Sequence, residues 1–187
     1  IQRSIMSLEK KTGISIMKIN EDLDTGPICN SYEIDILAND NAETLSVKLS
    51  SLASEKILKN IDNIFDEKVK FKDQLHKEAT YADKIEKFEG KIDWDNSADK
   101  IIGKINGLYP SPGAWFLYKG ERYKILKANL GNGTGNAGDI LNDHLEICCD
   151  NNSIKVLEIQ REGKRPQNIN EFMLGSKIKK GSNIKDA

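Results

Sequence analysis

Asp24 is the residue whose context points most directly to chemistry. It lies in the stretch Leu23-Asp24-Thr25-Gly26-Pro27, which follows a strand-like segment that alternates apolar and polar residues from Gly13 to Ile19. Functional side chains of α/β proteins tend to lie in loops that follow strands. A carboxylate in such a loop can accept or relay a proton, or hold an imidazole in a productive orientation. Asp24 is therefore the candidate catalytic residue, and an Asp-Thr-Gly turn without chemistry is the open alternative.

The same triplet, Asp-Thr-Gly, carries the nucleophilic carboxylates of aspartic proteases, in which two carboxyl groups share a proton. The surrounding residues argue against that interpretation. Asn20-Glu21-Asp22 precedes the triplet where a protease has a buried apolar strand, and Pro27 stands where Ser or Ala is usual. A dimeric protease of the retroviral type would also leave residues 100–187 unexplained.

A second group of candidates is a basic cluster formed by Arg161, Lys164 and Arg165. Four lysines follow it, and residues 100–187 hold 14 basic and 9 acidic side chains, a local net charge of +5, although the whole chain carries -1. Such a surface can neutralise phosphates of a nucleic acid. Trp115, Phe116 or Tyr118 could stack on unpaired bases, but core packing is the favoured interpretation for Trp94 and Trp115. A disordered, solvated lysine-rich end is an equally open alternative for the four lysines, Lys177, Lys179, Lys180 and Lys185.

The elements that would position these residues follow from the hydrophobic pattern. After the first strand-like segment and its polar turn, Ile28 to Ile36 predicts a second strand. Asp40 or Asn41 can then cap a helix with apolar residues from Leu45 to Ile61. Strand, turn, strand and helix are typical of the closing portion of an α/β domain with a parallel sheet.

The second half of the chain predicts a different architecture. Residues 66–87 are highly charged and lack periodicity, as in a linker. Ser97 then caps a short amphipathic helix, which ends before Pro110 and Pro112. Short strand-like segments follow, beginning with a hairpin about Lys119-Gly120-Glu121. This spacing predicts a small sandwich or barrel.

Composition limits the classes of protein. Hydrophobic residues make up 38% and charged residues 30% of the 187-residue chain, which is typical of a globular protein. No apolar run approaches the roughly 18 residues of a membrane span. The three cysteines and two histidines lack metal-ligand spacing, so we expect no metal site and reduced thiols that fill apolar spaces. The expected location is the cytoplasm and the expected state a monomer.

Several segments, taken in order, resemble methionyl-tRNA formyltransferases. Thr12 to Met17 is similar to a strand of that family and Asp22 to Pro27 to its loop with a catalytic Asp. Ala79-Thr80-Tyr81-Ala82 resembles its interdomain linker. Ile92-Asp93-Trp94 through Phe116, and Leu157 through Arg165, are similar to strands of its C-terminal domain. The resemblance covers nearly the whole chain.

The resemblance implies a fold of the α/β plus β class. The expected domains are the closing portion of a Rossmann-like formyltransferase domain (1–66), a linker (67–85) and a small OB-like β-barrel that binds tRNA (86–187). It also implies transfer of a formyl group from 10-formyltetrahydrofolate to the amino group of methionyl initiator tRNA. Asp24 would be catalytic, and Arg161, Lys164 and Arg165 would contact the tRNA.

The family's catalytic Asn and His precede the position of Ile1, so the resemblance implies a truncated form without that pair. Neither His76, in the predicted linker, nor His144, in a predicted turn, has the right context to replace the family's histidine. Two alternatives to a formyltransferase of tRNA stay open. One is an inactive tRNA-binding remnant, and the other is a relative that formylates another amine, such as that of a nucleotide-sugar.

Overall fold

The computed structural model describes residues 1–186 and divides the chain into two units. The N-terminal unit is Glu9–Asp83; the C-terminal unit is Ile1–Leu8 together with the chain from Lys84 onward. In chain order the elements are α1 (Gln2–Met6), β1 (Lys11–Met17), β2 (Ile28–Asp35), α2 (Ala42–Phe65), α3 (Ala98–Leu108), β3 (Ala114–Tyr118), β4 (Glu121–Gly131), β5 (Glu146–Cys148), β6 (Ser153–Arg161), β7 (Gln167–Asn168) and α4 (Ile169–Leu174).

The N-terminal unit is built on a hairpin. β1 pairs with β2 in an antiparallel ladder that runs from Lys11 opposite Asp35 to Met17 opposite Ile28. The predicted strands are present, but the prediction of a parallel sheet is wrong for this pair. Only ten residues separate the strands, and a parallel crossover needs about a dozen or more.

Helix α2 begins where the sequence predicts. Asn41 is its N-cap, and its side chain accepts a hydrogen bond of 2.9 Å from the backbone N–H of Thr44, whose hydroxyl accepts one of 3.0 Å from the Asn41 N–H. Asp40, the other candidate cap, is buried and accepts hydrogen bonds from Lys48 Nζ at 2.6 and 2.9 Å. Burial alone would raise the pKa of Asp40, but the hydrogen bond from Lys48 and that from the Leu37 N–H hold it below 3.8.

The segment that follows α2 contacts the hairpin, although the sequence predicts a linker there. Lys72 and Ile28 exchange two backbone hydrogen bonds of 2.9 Å, so this segment lies antiparallel to the start of β2. Residues 67–83 therefore group with the N-terminal unit.

The C-terminal unit contains an antiparallel sheet with the strand order β3-β4-β6-β5, and β7 pairs with β6. Alternate residues of these strands and one face of α3 form its core. The core includes a chain of aromatic contacts from Trp94 to Phe116, Tyr123 and Phe172. As predicted, Ser97 caps α3, accepting a hydrogen bond from the Lys100 N–H.

Helix α1 packs against α3 inside the C-terminal unit. Gly103 and Gly107 allow the approach, since a Cβ at Gly103 would lie 2.7 Å from a methyl carbon of Leu8 and one at Gly107 2.6 Å from Met6 Cγ. Arg3 also donates hydrogen bonds of 2.6 and 3.1 Å to the Glu89 carboxylate. These contacts group residues 1–8 with the C-terminal unit. The functional division into 1–66, 67–85 and 86–187 stays a prediction, and Ala187 lies outside the described residues.

The lysine-rich end of the chain packs against the same unit. Ile178 and Ile184 are buried, and the Ile140 N–H donates to the Ser182 carbonyl at 2.9 Å. The alternative of a disordered tail is therefore wrong for this segment. Among residues 1–186, no helix combines the length and the apolar character that crossing a membrane requires.

Candidate functional site

The loop between β1 and β2 presents the Asp24 side chain to solvent. Asp24 is exposed and has a φ of +57°, in the left-handed region that Asp tolerates better than most residues. Gly26 is buried two residues later, where a Cβ would lie 1.7 Å from the Lys18 carbonyl oxygen. The Lys18 N–H donates to the Pro27 carbonyl at 3.0 Å. The glycine thus permits the close crossing that brings Asp24 to the surface.

A side chain from the segment after α2 holds this loop. Gln74 Nε2 donates hydrogen bonds to the backbone carbonyl oxygens of Asp24, at 2.8 Å, and Gly26, at 2.7 Å. The loop also contains an internal hydrogen bond of 3.1 Å from the Thr25 hydroxyl to the Asp22 carbonyl. No sequence motif marks Gln74, because its contact joins residues about fifty positions apart.

A groove of about 560 Å³ lies beside the loop, wholly within the N-terminal unit. Asp24 lines it from one side, and residues of the segment after α2, including His76, line it from the other. The structure thus places His76 on the same groove as Asp24. Cys29, half-buried, also lines the groove, whereas Cys148 and Cys149 are buried, as predicted. His144 belongs to the C-terminal unit, where its Nδ1 lies 3.3 Å from Asn170 Oδ1.

The basic cluster lies at the turn that joins β6 to β7. Arg161, Lys164 and Arg165 are exposed and together line a groove of about 400 Å³. Two hydrogen bonds shape the turn: the Lys164 N–H donates to the Arg161 carbonyl at 3.0 Å, and Gln160 Nε2 donates to the Lys164 carbonyl at 2.8 Å. The cluster predicted from sequence therefore shares one surface.

The charge of Arg161 is partly balanced by a neighbouring carboxylate. Its guanidinium pairs with the carboxylate of Glu121, which also accepts a hydrogen bond from the Tyr123 hydroxyl. The hydrogen bond from Tyr123 is the largest influence on Glu121 and lowers its pKa, although partial burial opposes it. Burial, followed by the same hydrogen bond, raises the pKa of Tyr123 to about 12. Lys164 and Arg165 have no such ion pair among the described contacts.

Two of the three candidate stacking aromatics, Phe116 and Tyr118, are buried, and so is Trp94. The core interpretation of Trp94 is confirmed, but that of Trp115 is wrong, since its ring is half-buried on the other face of β3, with the Arg122 guanidinium 4.4 Å from the ring centroid. Among the described residues, no group of three or more His, Cys, Asp or Glu side chains is arranged to hold a metal ion.

Comparison with known proteins identifies the family. The model described as "Formyl transferase, C-terminal domain" matches residues 84–177, and the model described as "Formyl transferase" matches residues 1–61. A curated methionyl-tRNA formyltransferase of Pelagibacter ubique is 65% identical over 98% of this chain. The chain spans 60% of the length of that relative.

Solved structures show the same fold. HypX from Aquifex aeolicus, in complex with tetrahydrofolic acid, aligns with a TM-score of 0.71 and 16% identity over 93% of this chain and 32% of that chain. Methionyl-tRNA formyltransferase from Clostridium thermocellum aligns with a TM-score of 0.54 and 25% identity over 71% of this chain and 57% of that chain. The likeness to formyltransferase folds is thereby confirmed, whereas the Rossmann-like and OB-like parts of the predicted α/β plus β class stay predictions. With family models that match residues 1–61 and 84–177, this chain belongs to the formyl transferase family.

Proposed function

We propose that the chain acts as a methionyl-tRNA formyltransferase, with 10-formyltetrahydrofolate as co-substrate and initiator methionyl-tRNA as acceptor. The observation that carries this proposal is the 65% identity to a methionyl-tRNA formyltransferase across 98% of the chain. The Asp24 loop and the basic cluster both lie within the matched range. The relative with tetrahydrofolic acid bound supports the co-substrate.

Asp24 is the proposed catalytic residue. In formyl transfer, the amino nitrogen of methionine forms a bond to the formyl carbon, and the bond from that carbon to N10 of the folate breaks. The attacking amine loses a proton, and N10 gains one. A carboxylate at the surface of the loop can accept or relay that proton, and such a group typically contributes about 10²- to 10⁴-fold to the rate.

Arg161, Lys164 and Arg165 are the proposed contacts for tRNA phosphates. Their exposure and shared groove suit a ligand whose backbone presents successive negative charges. For the unit around them we propose an OB-like barrel, which the five-stranded antiparallel sheet supports. A monomer in the cytoplasm, without membrane attachment, completes the proposal.

The test is a formyl-transfer assay with two acceptors. The chain is incubated with 10-formyltetrahydrofolate and either methionyl initiator tRNA or an amino-sugar nucleotide, and the formylated product is measured by mass spectrometry. We expect formylated product when the acceptor is tRNA and none when it is the amino-sugar nucleotide. The reverse result would replace this proposal with that of a sugar-modifying relative.

The second candidate is a tRNA-binding protein without catalysis. The observations that favour it are that one family model covers most of the C-terminal unit by itself and that the exposed basic cluster lies in that unit. This candidate predicts no formylated product with either acceptor in that assay. In a separate binding measurement it predicts an affinity for tRNA that falls steeply as the salt concentration rises.

A further inference from the structure

The segment after α2 is tied to the Asp24 loop at two neighbouring points. Lys72 exchanges two backbone hydrogen bonds of 2.9 Å with Ile28, at the start of β2. Two residues further on, Gln74 reaches the loop itself. The backbone pairing at Lys72 therefore fixes the place from which the Gln74 side chain extends.

Both hydrogens of the Gln74 amide are used on the loop. Nε2 donates to the carbonyl oxygens of Asp24 and Gly26, at 2.8 and 2.7 Å, and these two carbonyls flank Thr25. Of the two ends of the glutamine amide, only the NH₂ can donate to both carbonyl oxygens, because the amide oxygen is an acceptor. One side chain thus restrains the backbone on both sides of Thr25.

The restrained backbone is one that needs support. Asp24 has a φ of +57°, which is less favourable for a residue with a Cβ than for glycine. Such a conformation is kept only where contacts with surrounding groups hold the backbone in it. The direction of the Asp24 carboxylate depends on this angle. Release of the carbonyls at positions 24 and 26 would let the loop, and with it the carboxylate, leave that direction.

We propose that Gln74 is a positioning residue that holds the Asp24 loop in its catalytically competent conformation. This inference rests on the proposed function of Asp24 in formyl transfer. It assigns a role to the segment that the sequence predicts to be a linker. Gln74 acts through backbone carbonyls of the loop, so its loss should lower the rate of transfer without weakening the binding of tRNA.

The first test does not depend on activity. Backbone ¹⁵N order parameters of residues 22–27 are measured in the wild-type chain and in Gln74→Ala, Gln74→Glu and Lys77→Ala. Gln74→Glu keeps the size of the side chain but presents oxygens to the two carbonyls. We expect order parameters of about 0.85 in the wild type and below about 0.6 in both Gln74 variants. Lys77→Ala, an exposed change in the same segment, should match the wild type.

The second test measures kcat and KM for formyl transfer in the same variants. Loss of two hydrogen bonds of ordinary net strength predicts a fall in kcat of about 25-fold, with KM for tRNA unchanged. An unchanged loop in both Gln74 variants would overturn the inference. If Asp24→Asn abolishes formyl transfer, an unchanged kcat in the Gln74 variants would also overturn it. If Asp24→Asn leaves transfer intact, the proposed function of Asp24 fails, and the order parameters alone then decide whether Gln74 holds the loop.

Discussion

The basic cluster makes a quantitative prediction about salt. In the double variant Lys164→Gln and Arg165→Gln, two exposed cations are replaced by neutral polar side chains. Arg161 is left intact because its pairing with Glu121 would confuse the result. If each of the two residues neutralises one tRNA phosphate, the variant binds tRNA with two fewer counterions released.

The size of the effect follows from that count. Each phosphate contact contributes roughly 0.7 to 0.9 to the slope of log K against log salt concentration, so the slope should become shallower by about 1.4 to 1.8. At 0.1 M salt this corresponds to an affinity about 25- to 60-fold lower than that of the wild type. Extrapolated to 1 M salt, the two affinities should be equal.

The assay is fluorescence anisotropy of labelled initiator tRNA at several salt concentrations. The matched control is Lys59→Gln with Lys68→Gln, which changes the net charge equally; these lysines pair with Glu55 and Asp66, each at 2.7 Å. The control should keep the wild-type slope. Equal slopes in the cluster variant and the wild type would refute the proposed contact of these residues with tRNA. An equal loss of affinity in the cluster variant and the control variant would show that the effect comes from net charge.

Three further predictions concern the scaffold. Asp40→Asn should lower the free energy of unfolding by about 2 kcal/mol at pH 7, measured by urea denaturation. Because the folded pKa of Asp40 is depressed, this stabilisation is present above pH 3.8 and is lost as the pH falls through the folded pKa. A difference between wild type and variant that does not change with pH would contradict this prediction. Gly26→Ala should cost about 2 kcal/mol or more, since its Cβ would meet the Lys18 carbonyl at 1.7 Å, and an unchanged urea midpoint would refute that contact. Tyr123→Phe should move the pKa of Glu121 up towards 4.5, as followed by NMR titration, because the donated hydrogen bond is lost; an unchanged titration would show that the bond is unimportant.

Local signals in the sequence predict much of the fold. Asn41 and Ser97 mark the starts of α2 and α3 because a side-chain cap satisfies backbone N–H groups within the next few residues. The turn at Lys119-Gly120 predicts the β3–β4 hairpin because its residues adopt positive φ. In each case the interaction that decides the structure lies within a few positions of the chain.

Contacts between distant residues could not be predicted in the same way. The six-residue helix α4 depends on the burial of Ile169 and Phe172, which no short periodic pattern reveals. In the segment 67–83, Lys72 contacts the hairpin through backbone hydrogen bonds, which side-chain composition does not predict. The charged character of that segment therefore suggests a linker.

The same distinction between local and long-range contacts applies to the residues of the candidate site. Asp24 and the basic cluster can be found from the sequence because each lies in a short, recognisable stretch. Gln74 and His76 cannot, since only the folded chain brings them to the loop or its groove. Trp115 shows the opposite error: an aromatic residue in a strand suggests core, but the alternation of β3 turns its ring to the other face.

The most direct test of the account is the rate of formyl transfer to methionyl initiator tRNA under single-turnover conditions, in the wild-type chain, Asp24→Asn and the neighbouring control Asp22→Asn. We expect product in the wild type, a rate at least about 100-fold lower in Asp24→Asn, and the wild-type rate in Asp22→Asn. Transfer by Asp24→Asn at the wild-type rate, or no transfer by the wild type, would contradict the claim that the Asp24 loop of this chain carries the chemistry.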